Sequence, residues 1–168
     1  KDIEAYQNGL VWHLVLDDDF SDPNVTSRWQ ILDGDYEVKP GELRLRGGQP
    51  QMLLLRRDLP GDVRIEFDCR QEGAYLNEIG CIVGAIPMPT SWETLISGYQ
   101  FKYAAHDNSL NIVARGEKVL SKQPTVPLTS GKHYHACVER IGQHLKFIVN
   151  DTEVFNLIDP EPLTGSDR

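Results

Sequence analysis

The sequence predicts an all-β domain, a two-sheet antiparallel β-sandwich, on three observations. Short segments of strand character recur with turn residues at roughly eight- to twelve-residue intervals, the spacing of sandwiches and barrels. No segment carries a sustained helical apolar period, so no long helix is expected. Several strands are polar on one face only, which suits two sheets that bury their inner faces against each other.

The chain is organised around Gly98–Leu120. Tyr99, Phe101 and Tyr103 alternate with Gln100 and Lys102, giving one aromatic and one polar face. His106-Asp107-Asn108-Ser109 supplies turn chemistry, because short polar side chains bond their own backbone and tolerate unusual φ. Leu110, Ile112 and Ala114 alternate with Asn111, Val113 and Arg115 on the return, so the stretch reads as two strands and a tight turn.

Taken in order, residues 1–10 are weakly patterned, with Ile3 and Tyr6 spaced for one helical turn. Val11–Leu16 is a strand stopped by the like charges of Asp17-Asp18-Asp19. Trp29–Leu32, Tyr36–Val38, Leu43–Arg46 and Gln51–Arg56 are short strands, separated by Asp33-Gly34, Pro40-Gly41 and Gly47-Gly48. Val63–Arg70 alternates cleanly, with Val63, Ile65, Phe67 and Cys69 opposite Arg64, Glu66, Asp68 and Arg70. Ile79–Ile86 is apolar on both faces, and Gly80 and Gly84 give it a flat floor for close approach. Pro87–Ile96 is a loop carrying Trp92, and Pro124–Gly131 is a Pro- and Thr-rich connection. His133–Arg140, Leu145–Val149 and Glu153–Leu157 complete the set.

The 168 residues fit one domain, 1–168, with a substantial core. Acidic side chains outnumber basic ones 25 to 17 and no basic run occurs, which disfavours nucleic acid and anionic membranes. No apolar run reaches the length of a membrane span. Cys69, Cys81 and Cys137 are spaced too widely for a zinc knuckle and read as buried thiols, a Cys69–Cys81 bridge being the alternative.

The order Asp18-Asp19-Phe20, Trp29–Tyr36, Gly41-Glu42-Leu43, Val63–Phe67, Gly98–Phe101, His133-Tyr134 and Leu145–Asn150 resembles the concanavalin A-like lectin/glucanase superfamily. It is similar in particular to the laminin-G-like bacterial domains near the 3-keto-disaccharide hydrolases. The resemblance implies a jelly roll, an oligo- or polysaccharide partner and an extracytoplasmic setting, periplasmic or secreted. Relatives close with a further strand after the equivalent of Asp159–Gly165, so with the sequence given to Arg168 either the sequence is truncated or a sheet lacks its final strand. The exposed edge this would leave admits a protein partner.

Catalytic relatives carry three acids on one strand, with the reacting carboxyls about 5 Å apart in retaining enzymes. Here Glu66 and Asp68 match the first two, Gln71 stands near the third, and Gln donates no catalytic proton. A carbohydrate-binding module without catalysis is therefore the first reading. A glycoside hydrolase or lyase using Glu66 or Asp68 with Lys102 or His106 is the second, and a protein-interaction module the third. The expected ligand-binding set is Glu66, Asp68, Trp92, Gln100, Lys102, His106 and Asn108, with Asn111 nearby. These would line one surface if the Val63 strand lies beside the Gly98 hairpin, with Trp92 or Tyr75 stacking on a sugar ring. A charge ladder and a structural turn are the plainer readings of the same residues. Asp17, Asp19 and Asp22, with Asp18 between them, offer hard oxygen ligands for a structural calcium, or form a solvated acidic turn. His133 and His135 share a face but no third zinc ligand is evident.

Overall fold

The computed structural model describes residues 4–7, 10–47, 51–85 and 97–163. The chain divides into two compact units, Lys1–Asp58 and Leu59–Arg168.

Among the described residues, the first unit is built from three antiparallel strand pairs. β1 (Glu4–Gln7) pairs with β2 (Leu10–His13), β3 (Trp29–Ile31) with β6 (Leu53–Leu55), and β4 (Asp35–Lys39) with β5 (Glu42–Arg46). The segment expected to form a helical turn around Tyr6 is thus a strand, because pairing with β2 satisfies its backbone groups where a lone turn would not. Asp18 organises the next loop: its carboxylate accepts from Trp29 Nε1 at 2.7 Å and Arg28 Nε at 2.8 Å. Arg28 also donates to Asp22 at 2.7 Å.

The second unit contains a β-sandwich. One sheet has the order β11 (Lys118–Pro124), β10 (Leu110–Arg115), β9 (Tyr99–Ala104), β8 (Ile79–Val83). The other has the order β14 (Thr152–Ile158), β13 (His144–Val149), β12 (His133–Ile141), β7 (Val63–Arg70). All pairs are antiparallel. Between the sheets lie Tyr99, Phe101 and Val113 from the first and Val138, Leu145 and Phe147 from the second, all fully buried. Phe101 and Phe147 meet edge to face at 5.8 Å. The clean alternation of β7 does what its pattern predicts: Val63, Ile65, Phe67 and Cys69 pack on this core.

The organising stretch holds three strands rather than two. Gly116, with φ +57°, turns the chain with Glu117 so that β11 leaves β10 as a second hairpin. Strand β8 ends at Val83, short of the expected Ile86; residues 86–96, Trp92 among them, lie outside the described residues. The floor at Gly80 serves a neighbouring strand: a Cβ there would collide with the Phe101 carbonyl of β9. Cys69, Cys81 and Cys137 are free thiols.

Candidate functional site

Alternation fixes which side chains face outward from each sheet. In the first sheet Lys102 stands opposite Ile112 and Gly80, and Gln100 opposite Ala114 and Ile82. In the second sheet Glu66 stands opposite Cys137 and Asp68 opposite His135. Strand β7 pairs with β12, not with the Gly98 hairpin. The single polar surface expected from Glu66, Asp68, Gln100 and Lys102 is therefore not formed: the two halves of that set point away from each other across the sandwich. Backbone pairing overrode the similarity of side-chain pattern, since any polar-faced strand is an acceptable neighbour by pattern alone.

The Glu66 face is an ion-pair ladder. Glu66 pairs with Arg64, which also reaches Glu139 at 3.1 Å, and Asp68 pairs with His135 at 2.9 Å. Arg70 meets Glu72 at 3.0 Å and His133 at 3.3 Å. Gln71 is committed to the loop that follows. Its Nε2 donates to the Glu78 carbonyl at 3.0 Å and its Oε1 accepts from Asn77 N–H at 3.1 Å. That staple presents Tyr75 wholly to solvent.

On the opposite face Gln100, Lys102 and His106 come together in a groove of about 210 Å³. Its floor is apolar, from Ile112, Ala114 and Val119. Lys102 is held 3.5 Å from Glu78, and Gln100 Nε2 donates to the Gly116 carbonyl at 2.7 Å. His106 rises from a left-handed turn in which Ala104, His106, Asp107 and Asn108 all have positive φ. Such a backbone costs energy at each non-glycine residue and persists only where its surroundings enforce it. Here Asn108 does so: its Nδ2 donates to Leu128 O at 3.0 Å and its Oδ1 accepts from Leu128 N–H at 2.6 Å. The Asn108 amide is spent on that clamp, and Asn111 lies on the inner face of the sheet, 5% exposed, outside the groove.

Among the described residues no three His, Cys, Asp or Glu side chains converge as a metal set. The acidic turn gathers around the Arg28 guanidinium, with Asp19 accepting from Ser21 N–H at 2.9 Å. Burial opposes ionisation of Asp18, but bonds from Arg28, Trp29 and Phe20 N–H outweigh it and hold the carboxyl below its ordinary range.

Among the described residues, no helix is long and apolar enough to cross a membrane. No family model and no curated protein matches the chain. Among solved structures it is similar to the carbohydrate binding module CBM66 from Bacillus subtilis, with 17% identity and a TM-score of 0.61. The match covers 78% of this chain and 79% of that one. At this identity the likeness speaks for the fold, a β-sandwich.

Proposed function

We propose that this chain is a non-catalytic carbohydrate-binding module, a jelly roll of the concanavalin A-like, laminin-G-like kind. The observation that carries the reading is the groove that joins Gln100, Lys102 and His106 over an apolar floor. Fixed polar groups beside apolar surface suit a sugar, whose hydroxyls alternate with C–H faces. The fold likeness to a carbohydrate binding module supports it. Binding without hydrolysis is favoured because Glu66 is engaged by Arg64 and Asp68 by His135, on the face away from the groove.

Titration calorimetry against a panel of neutral oligosaccharides tests this. A sugar that binds is expected to lose at least about tenfold in affinity with Lys102→Ala or His106→Ala, roughly one hydrogen bond to a charged group. Glu66→Gln is expected to leave affinity unchanged. Loss of binding with Glu66→Gln alone, or no binding to any glycan, refutes the proposal.

A further inference from the structure

The strand ends at β7–β8, β9–β10, β11–β12 and β13–β14 all lie at one end of the sandwich, and between the sheets there a cleft of about 370 Å³ opens. That volume falls within the range of small-molecule sites and exceeds the groove's. Its apolar wall is Tyr103 and Tyr134, rings 6.1 Å apart and tilted by 46°, continued by Val149 and Val154. The wall is rigid. Tyr103 Oη donates to Val126 O at 3.0 Å, and Tyr134 Oη accepts from Thr129 N–H at 2.9 Å. Gln123, on edge strand β11, donates to Val154 O on edge strand β14 at 2.6 Å, tying the two sheets at the cleft's margin.

The polar groups around this wall are unbalanced in one direction. Asn111 is 95% buried, and its Oδ1 accepts from Ala104 N–H at 3.1 Å. Among the described residues its Nδ2 has no protein acceptor. Asn150 is exposed, at the turn after β13: its Oδ1 accepts from His135 N–H at 2.8 Å, and its Nδ2 has no protein acceptor among the described residues. Lys132, 5.3 Å from the Tyr134 ring centroid, has no carboxylate partner among the described residues, in a chain of net charge −8. Glu153, at the lip, is turned to the outer face, where it accepts from Asn156 and pairs with Lys146. Three donors without a protein acceptor among the described residues, those of Lys132 and Asn150 at exposed positions, therefore border an aromatic wall and are open to a ligand. A carboxylate accepts at both oxygens and donates nothing, which fits this set better than a hydroxyl does.

We infer that this cleft is a second ligand site, separate from the groove and independent of its assignment, which takes a carboxylate-bearing sugar unit. The ring lies against Tyr103 and Tyr134, and the carboxylate meets Lys132, Asn111 and Asn150.

Amide-resolved NMR titrations with methyl glucuronide and methyl galacturonide, each beside its neutral glucoside or galactoside, test the inference. At least one uronide is expected to shift the amides of Lys132, Val126 and Asn150, and to bind at least about tenfold more tightly than its neutral counterpart. Lys132→Met, at an exposed position, is expected to remove that preference and its salt dependence. Asn111→Asp keeps the acceptor for Ala104 N–H while replacing the free donor, and is expected to abolish uronide binding. Lys102→Ala in the groove is expected to leave it intact. Equal binding of acidic and neutral sugars, shifts confined to the groove, an unaltered Lys132→Met, or no shift with either uronide overturns the inference.

Discussion

Asp159 to Ala offers the sharpest test of how the sandwich is held together. Its carboxylate is 1% exposed and lies just beyond β14. It accepts from Tyr99 Oη at 2.8 Å, from Arg115 Nη1 at 3.0 Å on each oxygen, and from Glu161 N–H at 3.0 Å. Tyr99 Oη in turn accepts from Leu163 N–H at 3.0 Å, so one acid fixes residues 159–163 to the start of β9 and the end of β10. Removing one partner of a buried ion pair costs about 3–5 kcal/mol. Arg115 keeps Glu161 at 2.7 Å, which places the expected loss at the lower limit, about 3 kcal/mol. For a chain of this length that is about 6–12 °C in Tm. Asp159→Asn retains an acceptor for Tyr99 but not the charge, and about 1–2 kcal/mol is expected. Urea unfolding followed by circular dichroism measures both. A loss below about 1 kcal/mol for Asp159→Ala would show that the network is replaceable by water and refute the argument.

Acidification should weaken the first unit through Asp18. Its folded pKa lies below the unfolded one, so its contribution is present above the unfolded value and lost as pH falls through the folded one, below about pH 4. Unfolding measured across that range is expected to show the slope in the wild type and a reduced slope in Asp18→Asn; equal slopes contradict it. The thiols should be inert. Burial pushes Cys69 and Cys137 up to about 11 and Cys81 up to about 12, leaving little thiolate at pH 8. Iodoacetamide is expected to label all three only on unfolding, and rapid labelling of the native protein counts against the burial described.

The fold was legible where a residue's environment is set by its own strand. Val63, Ile65, Phe67 and Cys69 alternate with charges, and that alone states which side is buried. The turns at Gly41 and Asn150-Asp151 were legible too, since positive φ selects short polar residues and glycine. Asp159 was not, because an acid past the end of a strand looks the same whether it meets water or a buried Arg115. The hairpin at Gly116-Glu117 was missed for a related reason: Lys118–Pro124 carries no strict alternation, and it is a strand because β10 offers it an edge.

The candidate site divides along the same line. Gln100, Lys102 and His106 were readable as a set because one hairpin carries all three, and their proximity needs only local geometry. Glu66 and Asp68 were assigned to the same surface on the assumption of a neighbour, and strand β7 takes β12 instead. Alternation reports a face but is silent on which strand lies beside it, because every antiparallel ladder offers the same backbone groups. The inter-sheet cleft was the least legible of all. Tyr103 and Tyr134 come from different sheets, and Asn111 looked like part of a polar outer face until its pairing with Gln123 put it inside. A site assembled across a sandwich is written in the packing of two sheets, where Tyr103 against Tyr134 belongs to the same core as Phe101 against Phe147.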